Sequence, residues 1–149
     1  MHITPATPAD LDDIARLFDA YRQFYEQPAD AALARRFIEA RMQRGESLIL
    51  LARGDDDAAL GFCQLYPGFC SIEAAPIQVL YDLFVQPDAR RSGVGRALLI
   101  AAEAHARTAG IARMDLTTAR SNLKAQALYE SLGWVQDRIY LGYNRQVAG

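Results

Sequence analysis

The sequence predicts a single α/β domain built on a mixed β-sheet that is flanked by helices. Three observations predict it. A chain of 149 residues is long enough to bury one hydrophobic core and too short for two ordinary ones. Stretches of strand-like alternation and stretches of helical spacing follow one another along the chain. The apolar run at 79–85 leads through a turn into a long amphipathic segment, the order of a strand and its crossover helix. We therefore expect one domain over residues 1–149.

Composition and charge favour small or neutral partners. The formal net charge is -2, which gives no electrostatic reason to expect nucleic acid or an anionic membrane as a partner. No window approaches the ~18 apolar residues of a membrane span, and neither end has a leader pattern, so we expect a cytoplasmic protein. Cys63 and Cys70 lack the spacing of metal ligands. We expect them to be free thiols, and we expect no metal site.

The first part of the chain predicts a short strand and two helices. Ile3 begins the strand. Residues 7–10, T-P-A-D, suit a helix N-terminus with proline at the first helical position, and Pro28 ends the helix that follows. A second helix is predicted over 30–44, because Gly45 is a common C-terminal stop.

A β-hairpin and an irregular loop are predicted next. The hairpin strands are 47–53 and 59–66, joined by the acidic turn 54–57. The stretch 67–76, P-G-F-C-S-I-E-A-A-P, carries two prolines and a glycine. We expect a loop there, in a position where loops often contact substrate.

The second half predicts the central strand, two helices and three more strands. The central strand is 79–85, and its helix ends at Gly110. Ser121 or Asn122 suits the N-cap of a short helix that Gly133 terminates. The remaining predicted strands are 113–118, 134–138 and 139–144.

The turn after the central strand has the features of a pyrophosphate-binding site. Unpaired N–H groups at a helix N-terminus and the helix dipole together favour a bound anion. Gly93 and Gly95 allow the backbone to approach a ligand closely. Guanidinium groups that can pair with phosphate oxygens come from Arg90, Arg91 and Arg96.

Two familiar phosphate-binding turns do not match this one. A P-loop requires Gly-Lys followed by Ser or Thr, and that tripeptide is absent from the chain. A dinucleotide-binding turn requires G-x-G-x-x-G, but the third glycine position, counted from Gly93, is Leu98.

The turn resembles the signature of the GNAT superfamily of acyl-CoA-dependent N-acetyltransferases. Residues 90–95, R-R-S-G-V-G, match Q/R-x-x-G-x-G/A, and 82–87, D-L-F-V-Q-P, is similar to the strand that precedes it in the family. A second element, 122–134, N-L-K-A-Q-A-L-Y-E-S-L-G-W, resembles N-x-x-A-x-x-L-Y-E-x-x-G-F/W. The resemblance covers residues 47–145 well and the first 45 residues loosely.

The resemblance implies a fold and a cofactor. The family's sheet has an antiparallel half and a parallel half that splay apart to admit acyl-CoA, so acetyl-CoA is the expected cofactor and CoA the product. Relatives are commonly homodimers, and by analogy we expect one here. The residues implied to bind the cofactor, by side chain or backbone, are Leu83, Phe84, Val85, Arg90, Arg91, Ser92, Gly93, Val94, Gly95, Arg96, Asn122 and Tyr129.

Amide formation from a thioester needs a proton for the leaving thiolate and stabilisation of an oxyanion. Tyr129 matches the family's tyrosine in L-Y-E and is the expected general acid. The oxyanion is expected to bind a backbone N–H near Phe84 or Val85, in the manner of an oxyanion hole. Asn122 suits both an N-cap and a cofactor contact.

The amine also needs a base, because an alkylamine of pKa ~10.4 is almost wholly protonated at neutral pH. Many relatives that acetylate amines carry Glu-Asp in the central strand, whereas this chain has Tyr81-Asp82. Strand alternation places Asp82 on the face opposite Tyr81. Asp82, Glu73 and a chain of water molecules all remain candidates for the base.

The expected acceptor site lies between the first two helices and the 67–76 loop. Aromatic walls with one carboxylate suit a small cationic amine. The candidate residues are Tyr21, Phe24, Tyr25, Tyr66, Phe69, Glu73 and Tyr81.

These observations predict an acetyl-CoA-dependent N-acetyltransferase that acts by direct transfer in a ternary complex. The expected acceptor is a primary amine of a small molecule such as an amino acid or polyamine, with a protein amine as the nearest variant. A non-catalytic acyl-CoA sensor or interaction module is the alternative from another class. A dinucleotide-binding module fits less well, because Asp115 lies within its predicted strand rather than at its end.

Overall fold

A five-stranded sheet in the order β1-β2-β3-β4-β5 organises the first part of the protein. The computed structural model describes residues 1–149, which form two compact units, 1–117 and 118–149. The strands are β1 (His2–Pro5), β2 (Leu48–Arg53), β3 (Ala59–Cys70), β4 (Ala75–Val85) and β5 (Arg113–Asp115). The helices are α1 (Leu11–Phe24), α2 (Ala31–Gln43), α3 (Val94–Thr108) and, in the second unit, α4 (Leu123–Ser131).

The sheet is mixed and open, as the resemblance implied. The pairs from β1 to β4 are antiparallel, and β5 is parallel to β4. β5 pairs with β4 only from Ile77 to Val79, so β4 continues from Leu80 to Val85 with no strand beside it on that edge. The predicted fold class is confirmed, whereas the single domain over residues 1–149 stays a prediction.

Local capping signals start the first two helices where the sequence predicts them. Before α1, the Thr7 amide and hydroxyl both donate to Asp10 Oδ2, at 2.9 and 3.2 Å. Asp30 caps α2 by accepting from the Leu33 amide at 3.0 Å. None of the helices combines the length and the apolar character that crossing a membrane requires.

Both faces of the central strands are covered. On one face, Ile14 and Leu17 of α1 and Ile38 of α2 pack with Leu51 and Phe62 of the sheet, and all are buried. Leu50 and Cys63 point the other way by strand alternation and are also fully buried. α3 packs on β2 and β3 and buries Val94, Leu98, Leu99 and Ala102, so it covers this second face.

The predicted loop at 67–76 is wrong, because these residues extend the β3–β4 hairpin. Pro67 pairs with Gln78, and Cys70 pairs with Ala75, which leaves a short turn between them where Ala74 has φ 51°. Pro67 is tolerated within β3 because β2 extends along β3 only as far as the pair Leu48–Leu65. The missing N–H of Pro67 therefore removes no hydrogen bond to β2.

The predicted closing strands 134–138 and 139–144 are also wrong, and the strand predicted at 113–118 is shortened to β5. Asp137 accepts hydrogen bonds from the amides of Ile139 and Tyr140, at 2.9 and 3.1 Å. This is an Asx turn, which competes with extended pairing. Residues 134–149 contain no helix or strand.

Candidate functional site

A β-bulge in β4 shapes the middle of the sheet. Gln64 pairs with Asp82, but the next pair is Leu65 with Leu80, so Tyr81 is the extra residue. The Tyr81 side chain is 66% exposed, whereas Leu80 and Asp82 are buried. The Tyr21 hydroxyl from α1 donates to the Tyr81 carbonyl oxygen at 3.2 Å.

Asp82 lies in a buried polar network beneath the bulge. It is 4% exposed and accepts from Gln64 Nε2 at 2.5 Å. The Ser47 hydroxyl donates to Gln64 Oε1 at 2.7 Å, which fixes the orientation of the amide. The Tyr21 hydroxyl is also within hydrogen-bonding reach of Asp82, and its one proton goes either to this carboxylate or to the Tyr81 carbonyl.

Burial dominates the electrostatics of this network. Burial raises the pKa of Asp82, although hydrogen bonds from Gln64 and Tyr21 lower it in part. The pKa of Tyr21 is raised by burial and then by the negative charge of Asp82. The same two causes raise the pKa of Tyr66 to about 12. Asp82 is therefore a stronger base than an exposed aspartate.

Glu73, the other predicted carboxylate, lies far from this network. It is in the hairpin turn and forms an ion pair with Arg113 at 2.8 Å. The hairpin turn that carries Glu73 immediately precedes β4, whose first residue is Ala75. Asp82 lies seven residues further along the strand, which places it about 23 Å from Ala75 at ~3.3 Å per residue. The structure does not bring Glu73 and Asp82 together.

The predicted acceptor aromatics divide into three groups. Tyr21 and Tyr25 make an edge contact at 5.1 Å between ring centroids, and Phe24 contacts Tyr25 at 5.2 Å. Tyr66 and Tyr81 make a similar contact at 5.5 Å. Phe69 is 81% exposed near the end of the hairpin and belongs to neither of these two groups.

A cavity of about 440 Å³ adjoins the Tyr66–Tyr81 pair. It is lined by Phe37, Arg41, Glu46, Tyr66 and Pro67. The Arg41 guanidinium lies 4.4 Å from the centre of the Phe37 ring and pairs with Glu46 at 3.2 Å. Of these residues, the sequence predicted only Tyr66, since Phe37 has the spacing of a core residue and the two charges carry no local motif.

Backbone conformation defines the predicted pyrophosphate turn. Gly93 is the residue before α3 and has φ 83°, a left-handed conformation that glycine adopts without strain. A Cβ at Gly93 would meet no atom within 4 Å. Glycine is thus required here for its backbone angle rather than for space. Arg91 also has a positive φ, of 66°, and the Ser92 hydroxyl donates to the Ala89 carbonyl.

Packing holds this turn at the end of β4. Val94 and Leu98 are buried in the first turns of α3, whereas Arg91, Ser92 and Gly93, which precede the helix, are exposed. The first amides of any α-helix lack intrahelical acceptors. An anion at this end of α3 would meet those amides together with exposed Arg91 and Arg96.

Arg90 is placed differently from the other predicted phosphate ligands. Its Nε donates to the Val85 carbonyl oxygen at 2.9 Å, and its guanidinium lies 5.6 Å from the rings of Phe24 and Phe84. The resemblance assigns the Val85 backbone to the pantetheine arm. Arg90 therefore forms a hydrogen bond with the Val85 carbonyl oxygen, the group that the resemblance assigns to an extended ligand beside β4.

In the second unit, Asn122 is the N-cap of α4 and accepts from the Ala125 amide at 3.2 Å. Its predicted structural role is therefore confirmed, and its cofactor contact stays a prediction. Tyr129 lies on α4 with its ring 6.1 Å from that of Trp134. Its predicted role as an acid likewise stays a prediction.

The family model and the sequence relatives that match this chain are all acetyltransferases. The model of the acetyltransferase (GNAT) family matches residues 12–134. The uncharacterized N-acetyltransferase YhfO of Bacillus subtilis is 41% identical over 143 residues, which cover 96% of this chain and 95% of the relative. The aminoglycoside N(6')-acetyltransferase type 1 of Stenotrophomonas maltophilia is 30% identical, covering 89% and 84% of the two chains.

Solved structures agree with the sequence relatives. The crystal structure of a probable acetyltransferase is 39% identical to this chain and superimposes with a TM-score of 0.94, covering 100% of this chain and 99% of the other.

Proposed function

Because the chain belongs to the GNAT acetyltransferase family, we propose that this acyltransferase moves an acetyl group from acetyl-CoA directly to a primary amine of a small molecule, in a ternary complex. One observation carries the proposal. The edge of β4 from Leu80 to Val85 has no neighbouring strand and leads directly into the Gly93 turn before α3. An extended ligand could pair with the free edge of β4 and place a pyrophosphate at its end against the start of α3.

The residues fit acetyl-CoA as follows. Backbone groups of Leu83 and Val85 hold the pantetheine arm as an added strand would, and Arg90 must release the Val85 carbonyl to permit it. The amides at the start of α3, with Arg91 and Arg96, bind the pyrophosphate. When bound, acetyl-CoA supplies a thioester carbonyl carbon as the electrophile.

Tyr21 gives the buried base access to the substrate. Asp82 is too buried to meet an amine directly, but the half-buried Tyr21 hydroxyl lies within its reach. Tyr21 accepts a proton from the substrate ammonium and passes its own proton to Asp82, so the amine nitrogen is left with a free electron pair. The raised pKa of Asp82 makes this transfer less unfavourable.

The remaining roles follow the family resemblance. A backbone N–H near Phe84 or Val85 stabilises the oxyanion that forms when the amine attacks. As the C–S bond breaks, Tyr129 donates its proton to the sulfur, and CoA would leave as a thiol. The attacking nitrogen loses its extra proton to solvent, which leaves a neutral amide.

The cavity beside Tyr66 favours a zwitterionic amine such as an amino acid. Its volume of about 440 Å³ is in the usual range for small-molecule sites. It presents one cation, Arg41, and one carboxylate, Glu46. The ion pair between Arg41 and Glu46 must open, so that a substrate carboxylate pairs with Arg41 and a substrate ammonium with Glu46. A polyamine has no group to replace Glu46 on Arg41.

The test is an amine panel of amino acids, polyamines and a peptide with a free N-terminus, incubated with acetyl-CoA. CoA thiol release and the mass of the acetylated product are measured. We expect turnover with amino acids, and Arg41→Gln should raise KM for them without raising KM for polyamines. Acetyl-CoA binding without thiol release on any amine would instead support the sensor alternative, and product on the peptide alone would support a protein amine.

A further inference from the structure

Gln64 is a polar side chain in the hydrophobic core of the sheet. It is 0% exposed, and its cross-strand partner Asp82 is 4% exposed. The residues two positions away on the two strands, Phe62 and Phe84, are buried and apolar. An amide paired with a carboxylate adds little stability over an apolar pair of the same shape, because both polar groups lose their water. The polar pair therefore points to a function rather than to packing.

The register of β3 and β4 brings the two polar side chains together. Gln64 and Asp82 are the last regular pair before the bulge. By strand alternation they share a face with Phe62 and Phe84, which is the face that packs against α1. Gln64 Nε2 donates to Asp82 Oδ2 at 2.5 Å. The last torsion of an aspartate side chain is soft, so a fixed donor on one oxygen sets the plane of the carboxylate.

The Ser47 hydroxyl fixes which end of the Gln64 amide meets the carboxylate. Ser47 lies two residues before Ile49, the β2 partner of Gln64, and its hydroxyl donates to Gln64 Oε1 at 2.7 Å. A reversed amide would place its oxygen against a carboxylate that only accepts hydrogen bonds. Ser47 directly follows Glu46, which lines the cavity. The group that anchors the amide is thus adjacent to the proposed acceptor site.

We propose that Gln64 is a positioning residue for the reaction, which holds the Asp82 carboxylate in place for Tyr21, and that Ser47 keeps the Gln64 amide in the required orientation. This inference rests on the proton path proposed above, in which Asp82 acts through Tyr21. Gln64 exchanges no proton with the substrate. Its N–H donates a hydrogen bond that an ionised carboxylate accepts, and it thereby favours the form of Asp82 that can take up a proton.

Hydrogen bonds act on Asp82 against the effect of burial. Burial raises the pKa of Asp82, and the hydrogen bonds from Gln64 and then Tyr21 lower it. The titratable groups that interact with the Asp82 charge, or adjoin it on β4, are Tyr21 of α1, Cys63 and Tyr66 of β3, and Tyr81. Burial, and in part the charge of Asp82, raises the pKa of Tyr21, Cys63 and Tyr66, so these three groups are neutral near pH 7. Loss of the Gln64 donor should therefore favour the protonated form of Asp82.

The first experiment measures kcat/KM against pH for Gln64→Met, with the best substrate from the amine panel. Methionine is unbranched and fills a similar space but cannot donate to Asp82. We expect kcat/KM on the acidic limb to fall ~10- to 100-fold, the limb to move to higher pH, and the deficit to shrink as pH rises. A Gln64 that only supports the fold would lower Tm and leave the limb in place, and that result overturns the inference.

Gln23→Met is the matched control. The exposed Gln23 on α1 also donates through Nε2 to a carboxylate, that of Asp19, at 3.3 Å. This variant should keep the wild-type profile. Ser47→Ala is a milder second variant that leaves Gln64 itself in the core. It should move the acidic limb in the same direction as Gln64→Met by a smaller amount, and an unmoved limb would remove Ser47 from the proposal.

A second experiment follows the carboxyl group itself and needs no substrate. Protein labelled with ¹³C at the aspartate carboxyl carbons is titrated by NMR, and the Asp82 signal is identified by its absence in Asp82→Asn. We expect the midpoint for Asp82 to be higher in Gln64→Met than in the wild type, and equal midpoints overturn the inference.

The variant Asp82→Asn distinguishes a failure of this inference from a failure of the proposed proton path. Wild-type kcat/KM in Asp82→Asn would overturn the path, and the positioning role with it. A large loss in Asp82→Asn beside an unchanged profile in Gln64→Met would overturn the role of Gln64 alone. If Gln64 acts through Asp82, combining the two substitutions should give the same profile as Asp82→Asn by itself.

Discussion

Gly93→Ala separates the backbone angle of the cofactor turn from the general stability of the protein. Gly93 has φ 83° and no atom within 4 Å of the added Cβ position, so the change introduces conformational strain without a clash. A left-handed residue with a Cβ costs about 1–2 kcal/mol, and the reduced freedom of the unfolded chain offsets about 0.5 kcal/mol of this. The net loss is about 1 kcal/mol, which lowers Tm by ~2–4 °C for a chain of this size.

The effect on acetyl-CoA should be larger than the effect on stability. The strain is relieved when φ turns negative, which redirects the amides at the start of α3 away from the pyrophosphate. Each charge-assisted hydrogen bond lost is worth about 1.5–3 kcal/mol, so we expect Kd for acetyl-CoA to rise ~10- to 100-fold. Isothermal titration calorimetry measures Kd, and thermal unfolding measures the loss of stability.

Gly110→Ala is the matched control at the other end of the same helix. Gly110 has φ 72° and likewise no atom within 4 Å of an added Cβ. The control should lose a similar amount of stability and keep the wild-type Kd. If both variants bind acetyl-CoA equally well, the assignment of the Gly93 turn to the pyrophosphate is refuted.

Three further variants test the residues proposed for catalysis. Tyr129→Phe should lower kcat ~10- to 1000-fold with little change in acetyl-CoA affinity, and near wild-type turnover would remove Tyr129 from the role of acid. Tyr21→Phe removes the proposed proton path and also a donor that lowers the pKa of Asp82. We therefore expect kcat/KM to fall and the acidic limb of its remaining pH profile to move to higher pH, whereas Tyr25→Phe should change neither. Asp82→Asn tests whether the pKa of Asp82 is raised by folding. Because the folded pKa exceeds the unfolded value of ~3.9, Asp82 stabilises the folded protein fully below that value. This stabilisation is lost as pH rises through the folded pKa. Tm of the wild type should thus fall relative to Asp82→Asn from pH ~4 upward, and a constant difference in Tm would contradict the shift.

The parts of the fold that local signals determine could be predicted from the sequence. The pairing of Thr7 with Asp10, the cap at Asp30 and the glycine at 93 all act within a few residues. Such signals are readable because the chain itself supplies both partners of the contact. The central strand, its turn and α3 were predictable for this reason.

Features that depend on distant partners could not be predicted in the same way. Pro67 and Pro76 are typical of a loop, yet both lie in paired strands of the hairpin. The cavity beside Tyr66 joins residues of α2, of the stretch before β2 and of β3. No spacing along the chain connects those residues. Residues 139–144 have the alternation of a strand, but a strand forms only beside a partner.

The bulge at Tyr81 is the structural basis of the proton path proposed above for a chain that has Tyr81-Asp82 where the sequence analysis expected Glu-Asp. Tyr81, the extra residue in β4, has an exposed side chain, and its carbonyl oxygen accepts from the Tyr21 hydroxyl. Asp82 is buried and accepts a hydrogen bond from Gln64, whose amide oxygen in turn accepts from Ser47. A buried carboxylate with a raised pKa is a better base than an exposed one, but it needs a route to the substrate. The Tyr21 hydroxyl donates to the Tyr81 carbonyl oxygen and is within hydrogen-bonding reach of Asp82, so in the proposed mechanism it supplies that route.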